Sequence, residues 1–223
     1  MIQMEIGFNV LYLLSIYLIV GMMVHRYRSE NYANQPGSVS FLWAFFLLAL
    51  GDTGHVGFRL IAFARGGLEQ NELLVGLGAL ATAVTITIFY MLMLEVWRRQ
   101  SKKSITWIFW AVMLLGVIRL IVMAFPENHW SQVVPPYRFS LIRNAFLTAM
   151  GIVVVVAYLR DGNKTKNRYL VNSSIAIICS FAFYIPVFLY VQKVPMIGML
   201  MIPKTIAYVV MATIGLRHLF LHR

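Results

Sequence analysis

Long apolar stretches, separated by short polar segments, follow one another along the whole chain of 223 residues. A transmembrane helix needs about 20 consecutive, predominantly apolar residues. Seven stretches meet this requirement, and because the connections between them are short, we expect a single domain over residues 1–223. The stretches lie near 5–24, 39–64, 72–97, 104–124, 137–159, 169–191 and 196–217. The pattern predicts an all-α membrane protein, a bundle of seven transmembrane helices.

The composition narrows the class of protein further. Hydrophobic residues make up 60% of the chain and charged residues 12%, whereas soluble domains average about 45–50% and about 25%. These values exclude a soluble enzyme, a disordered chain and a nucleic-acid-binding domain. The single cysteine, Cys179, excludes an internal disulfide and any zinc or iron–sulfur site built on cysteines.

The net charge of +11 is explained mainly by membrane topology. Loops on the cytoplasmic side of a membrane carry an excess of lysine and arginine. The first, third and fifth connections and the C-terminus hold twelve such residues, Arg26, Arg28, Arg98, Arg99, Lys102, Lys103, Arg160, Lys164, Lys166, Arg168, Arg217 and Arg223. The remaining connections hold three, Arg65, Arg138 and Lys193. We therefore expect the N-terminus outside and the C-terminus in the cytoplasm, and short loops without a targeting peptide favour a plasma (inner) membrane.

Four cations lie inside the predicted spans, and only one clearly intramembrane acid, Asp52, accompanies them. The cations are Arg59, Arg119, Arg143 and Lys204. A charge at the middle of a bilayer costs upward of about 2.5–3.5 kcal/mol, so such residues face a protein interior or a wet cavity. Counting about 1.5 Å per residue from each span's midpoint places all four in the outer half. One acid cannot neutralise four cations, so the sequence predicts a cationic cavity that holds an anion or water.

Spacing identifies further candidates around these charges. Asp52, His55 and Arg59 follow an i, i+3, i+7 pattern and share one helix face. Glycines at 51, 54 and 57 in the same helix allow close approach of another backbone or a ligand. Pro203 precedes Lys204 and is expected to kink the seventh helix. The predicted ligand-binding residues are Asp52, His55, Arg59, Arg119, Arg143, Asn144, Tyr184 and Lys204.

Three functions are compatible with this pattern. In the first, the cavity binds a small anionic molecule or a lipid head group, for sensing or transport; the cations bind the anion, and Asp52 and His55 orient them or carry a proton. In the second, the protein is a membrane-embedded enzyme with a lipid-like substrate, and Asp52 and His55 act as acid and base. In the third, the charges only pack as an internal network. The predicted partners include membrane lipids but no nucleic acid; an oligomer is compatible with the sequence.

Two partial resemblances would imply a metal or a chromophore. His218 and His222 have a spacing similar to the zinc-binding histidine pair of the ceramidase-like membrane hydrolases, but they lie at the cytoplasmic end, far from His55. Lys204 resembles the retinal-binding lysine in the seventh helix of rhodopsins, but the third span has no acid in its middle to serve as counter-ion. We therefore expect no metal and no cofactor.

Overall fold

The computed structural model describes residues 2–29 and 35–221, with side chains from residue 7 onwards in these ranges. Within them, seven helical spans are long and apolar enough to cross a membrane. Their α-helices are α1 (Ile2–Ser29), α2 (Ser38–Ala64), α3 (Glu72–Gln100), α4 (Trp107–Ala124), α5 (Tyr137–Thr165), α6 (Arg168–Tyr190) and α7 (Met201–Leu216). A 3-10 segment before α7 and a π-helical turn after it extend the seventh span to Pro195–Leu221. The predicted all-α architecture with seven spans is confirmed, and it is the architecture of a polytopic membrane protein.

Several helices continue beyond the apolar stretches that predicted them. The third span was expected to end at residue 97, but α3 continues to Gln100, and α5 continues past residue 159 to Thr165. The added turns carry basic side chains, which are good helix formers and can extend toward water at the end of a span. Apolarity therefore marks the membrane-embedded part of each helix and not its full length.

The start of α7 differs from the expected kinked span. A 3-10 helix, Pro195–Leu200, leads into α7 at Met201. Pro203 therefore stands in the first turn of α7, where the N–H group that proline lacks would have had no intrahelical partner in any case. The irregular backbone thus precedes Lys204 as a short 3-10 segment and is not a kink in the middle of the span.

The helices form a closed bundle in which each packs on its neighbours in sequence, and α7 returns to contact α1. Contacts between loops define the two ends of the bundle. Gln192 donates a hydrogen bond to the carbonyl of Pro135, so the loops after α4 and α6 meet. We call this the N-side end, since α1 starts there. Gln100 donates to the carbonyl of Pro36 at the opposite, C-side end.

The helices α2 and α3 cross at small residues. A Cβ atom at Gly51 would overlap the side chain of Thr85, and one at Gly78 would lie 3.0 Å from the Cα of His55. The expected close approach of another backbone therefore occurs at Gly54 and His55, which face Gly78, whereas Gly51 accommodates the Thr85 side chain. A Cβ at Gly57, in contrast, would meet nothing within 4 Å. The crossing fixes the helix face that carries Asp52 relative to α3.

Aromatic side chains fill the C-side half of the bundle. Phe45 and Phe89 meet edge to face with ring centroids 5.2 Å apart, and Phe89 meets Tyr90 in the same way at 5.3 Å. The large side chains that are almost completely buried include Phe41, Phe45, Phe89, Tyr90, Trp97, Tyr158 and Phe220. Edge-to-face pairs of this kind add stabilisation beyond the area they bury. The apolar core of the molecule is therefore centred on this half.

A carboxylate at the C-side end joins α5 to α3 and the loop that follows α3. The indole of Trp97 donates to Asp161 Oδ2 at 2.8 Å, and Lys103 Nζ lies 2.6 Å from the same oxygen. The Lys103 ammonium also lies 5.0 Å from the Trp97 ring centroid. Because the Asp161 side chain is buried, its charge is balanced by Lys103 and its oxygen is hydrogen-bonded, as a buried carboxylate requires.

Candidate functional site

A cavity of about 710 Å³ lies in the N-side half of the bundle, and all seven helices contribute to its lining. It extends from Ile86 and Tyr208, near the middle of their helices, to Gln132 and Met196 in the loops. Both loop residues are exposed, so the cavity reaches the N-side surface. Its volume lies within the range of about 300–1,000 Å³ that is typical of small-molecule sites.

All eight residues predicted from the sequence line this one cavity. They come from α2, α4, α5, α6 and α7, and they are Asp52, His55, Arg59, Arg119, Arg143, Asn144, Tyr184 and Lys204. Among the described lining residues the cations are Arg59, Arg119, Arg143 and Lys204, and the single carboxylate is Asp52. The expected grouping of charges is therefore present, whereas what the cavity binds stays a prediction.

The carboxylate of Asp52 is held from two sides. Tyr12 in α1 donates a hydrogen bond to Oδ2 at 2.6 Å, and Thr82 in α3 lies 3.3 Å from Oδ1. The Thr82 hydroxyl also lies 3.0 Å from the carbonyl of Gly51. The sequence pattern gave no indication of Tyr12, because a tyrosine alone in a long apolar helix has no distinguishing spacing. Its contact with Asp52 ties α1 to the wall of the cavity.

The Arg119 guanidinium is hydrogen-bonded to oxygen atoms of neighbouring helices. It is 2% exposed, and its guanidinium donates to the carbonyl of Arg143 at 2.9 Å and to that of Ala83 at 2.6 Å. It also bonds the hydroxyl of Thr87. These contacts join α4 to α3 and α5. The expectation that four cations require an external anion is therefore corrected for Arg119, since neutral protein oxygens satisfy a buried guanidinium.

Arg143 is likewise engaged by the protein. It is 6% exposed, and it donates to the side-chain oxygen of Asn128 at 2.6 Å. Its guanidinium carbon lies 4.4 Å from the centroid of the Trp130 ring, a distance typical of a cation–π contact. Both partners belong to the loop between α4 and α5. Arg143 therefore holds this loop against the N-side end of the cavity.

The same loop is fixed by contacts that sequence reasoning missed. The amide of Asn128 donates to the carbonyls of Val122 and Phe125, at 2.7 and 2.9 Å. The Trp130 indole donates to the carbonyl of Met123 at 2.9 Å. A Cβ at Gly76 would overlap the carbonyl of Trp130, so only a glycine lets the loop dock on α3 here. The hydrogen bonds of Asn128 and Trp130 reach back only three to seven positions to the end of α4. The docking of Trp130 on Gly76 is distant in sequence, and no local pattern predicts it.

Lys204 differs from both buried arginines. Its ammonium lies 4.3 Å from the ring centroid of Tyr184 and 5.9 Å from that of Tyr208. Within the described part of the chain, no carboxylate lies within 4.0 Å of Nζ and no oxygen accepts a hydrogen bond from it. Tyr184 in turn donates to the Asn144 side-chain oxygen at 2.6 Å. The lysine is therefore held on aromatic faces, with its N–H donors available to the cavity.

His55 and Arg59 complete the α2 wall. His55 lines the cavity, and its Nδ1 is buried with no hydrogen-bond partner in the described part of the chain. Arg59, one turn further along α2, lines the cavity closer to its N-side opening. With Asp52, these residues occupy one face of α2, as their spacing predicts.

The histidine pair near the C-terminus lies apart from the cavity. The ring of His218 stacks on that of Tyr169 at the C-side end, with centroids 4.7 Å apart. His222 lies outside the described residues. Among the residues described, no group of three or more histidine, cysteine, aspartate or glutamate side chains is placed to hold a metal ion.

Comparison with known proteins does not assign the chain to a family. No family model, no curated protein and no solved structure matches the chain.

Proposed function

We propose that this membrane protein binds a small anionic molecule or a lipid head group in the cavity of the N-side half, for sensing or transport. The observation that carries the proposal is the charge of the lining, four cations and one carboxylate within about 710 Å³. Charges in a water-poor site interact more strongly than in water, so an unbalanced cationic lining favours an anionic occupant. Lys204 is the principal binding residue in this proposal, Arg59 adds positive charge to the lining, and Arg119 and Arg143 shape the cavity.

In this proposal, Asp52 and His55 orient the cations of the cavity. The Asp52 carboxylate balances part of the positive charge and is fixed by Tyr12 and Thr82. In transport, Asp52 or His55 would also carry a coupled proton. The alternative function, catalysis on a lipid-like substrate with these two residues as acid and base, would use the same wall of α2.

A binding comparison tests this function. We expect the wild-type protein, purified in a non-ionic detergent, to retain phosphatidylglycerol or inorganic phosphate, each titrated separately and followed by native mass spectrometry. Arg59→Ala and Lys204→Ala should each reduce the bound fraction at least threefold. Arg65→Ala is the matched control, since Arg65 is exposed at the same end and does not line the cavity. Equal losses in all three variants would contradict the proposal.

We further propose that the N-side end faces the outside of a plasma (inner) membrane. Eleven of the described lysine and arginine residues lie at the C-side end, against three, Arg65, Arg138 and Lys193, at the other, and the positive-inside rule assigns the richer end to the cytoplasm. A reporter enzyme fused to the C-terminus should therefore be active only in the cytoplasm. Activity of the reporter outside the cell would overturn the orientation.

A further inference from the structure

The hydrogen-bond donors of the cavity fall into two groups. Arg119 donates from Nε and Nη1, and Arg143 from Nη1, to oxygen atoms of the protein, at 2.6 to 2.9 Å. Lys204 Nζ has no hydrogen-bond or carboxylate partner in the described residues. All the donors of Lys204 are therefore available to an anion in the cavity, whereas those of Arg119 and Arg143 are in part already used by the protein.

His55 supplies a second hydrogen-bond donor at about the same depth in the bundle as Lys204. Its Nδ1 is buried and has no hydrogen-bond partner among the described residues. A buried N–H without an acceptor is rarer than a buried acceptor without a donor. The ring proton is therefore best placed on Nε2, where it can serve a ligand. His55 lies four residues from Gly51, at the middle of α2, and Lys204 four residues from Tyr208, so each is about 6 Å toward the N-side.

The Asp52 carboxylate near Lys204 disfavours a ligand that carries two negative charges. Asp52 lines the cavity one turn below His55, and its carboxylate offsets part of the Lys204 charge. A dianion would place two negative charges close to Asp52, and like charges at short distance in a low-dielectric site repel strongly. Lys204 and Asp52 together carry no net charge, so the attraction for an anion depends on the excess of cations over the whole lining, and Asp52 repels a monoanion less than a dianion.

An apolar wall extends from this level to the N-side opening. It is formed by the end of α6, the connection and the start of α7, and its cavity-lining residues include Val187, Phe188, Val191, Met196, Met199 and Ile202. Methionine side chains are flexible and adapt to irregular apolar partners. A ligand with its charged group at Lys204 would therefore place the remainder of the molecule against hydrocarbon and thioether groups.

From these observations, and on the basis of the proposed anion-binding function, we propose that the cavity takes a single-chain amphiphile with one negative charge. Its head group binds Lys204 Nζ and His55 Nε2, and its apolar chain lies along the wall from α6 to α7. The head group is a carboxylate or a phosphate diester, whose shared chemistry is a compact monoanion on an alkyl chain.

Photolabelling tests where such a molecule binds. The full chain is placed in nanodiscs of phosphatidylcholine and illuminated with dodecanoate that carries a diazirine near the chain end. We expect labelled peptides within residues 187–202, at least tenfold less labelling there in Lys204→Met, and unchanged labelling in Lys193→Met, whose lysine is exposed and outside the cavity. Thermal unfolding of each variant in the same nanodiscs checks that it is folded. Labelling of these peptides that persists in Lys204→Met overturns the proposal.

Competition in the wild-type protein keeps the test independent of any variant. Unlabelled dodecanoate and the diester dodecyl methyl phosphate should each displace the probe, and the better competitor identifies the head group. Dodecyltrimethylammonium, of equal chain length and opposite charge, should not. If acetate or inorganic phosphate competes as well as dodecanoate, the cavity binds anions but the amphiphile proposal is wrong. If no anion displaces the probe or binds, the proposed function is wrong as well.

Discussion

The two halves of the bundle bury their polar groups in opposite ways. In the C-side half, large aromatic side chains are almost completely buried, and the buried carboxylate of Asp161 is matched by Trp97 and Lys103. In the N-side half, four cations and Asp52 line a cavity of about 710 Å³, and Lys204 lacks a carboxylate partner within 4.0 Å in the described residues. The C-side half therefore contains the apolar core that stabilises the fold. The N-side half is less densely packed and contains a cavity lined by polar side chains.

The difference separates the charges that the protein itself satisfies from the charge for which we propose a ligand. Arg119 and Arg143 look equivalent to Lys204 in the sequence, because all three are single cations in long apolar segments. In the structure the arginines bridge helices and a loop through several hydrogen bonds, while the lysine rests on tyrosine rings. A planar guanidinium with five donors suits the first role, and a compact ammonium suits the second.

The largest expected effect concerns the aromatic core of the C-side half. Trp97 is 1% exposed and donates to Asp161. Trp97→Ala should lower the free energy of unfolding by about 3–5 kcal/mol, because it leaves a cavity and removes the indole donor. Trp107→Ala, where the ring is 78% exposed, should change it by less than about 0.5 kcal/mol. Unfolding in a non-ionic detergent measures both, and similar losses would contradict the assignment of the core.

An enlarged side chain compares the packing of the two halves directly. Ala44 is fully buried on the C-side, whereas Ala79 lines the cavity. Ala44→Leu should destabilise the protein by about 1–3 kcal/mol through overpacking. Ala79→Leu should be nearly neutral, within about 0.5 kcal/mol, since its side chain enters open space. Thermal unfolding of the two variants measures the difference in stability. A large loss of stability in Ala79→Leu would show that the cavity cannot accommodate a larger side chain at this position.

The smallest expected effect separates the cations within the cavity. Arg119→Met should lower stability by about 1 kcal/mol through the lost hydrogen bonds, with less than a threefold change in dodecanoate affinity. Lys204→Met should do the reverse, weakening the affinity at least tenfold with little loss of stability. Binding titrations and unfolding curves of the same two variants measure this. If Arg119→Met abolished binding in a folded protein, Arg119 would be a ligand-binding residue.

Much of the architecture was predictable from the sequence. Seven apolar segments identified the spans, since membrane insertion requires length and apolarity that no other element shares. The i, i+3, i+7 spacing of Asp52, His55 and Arg59 placed them on one face, and all three line the cavity. Helix ends were less predictable, because α3 and α5 continue into charged turns that apolarity does not mark.

The sequence by itself determined the class of protein, the number of spans and the presence of unbalanced charges within them. Only the tertiary structure decided which charges have partners. Tyr12 meets Asp52 across 40 positions of the chain, and Arg119 meets the carbonyl of Ala83 across 36. The reason is that hydropathy is a property of each segment, whereas hydrogen-bond satisfaction depends on which helix faces are brought together. That same pairing leaves Lys204 as the cation best placed to receive a ligand.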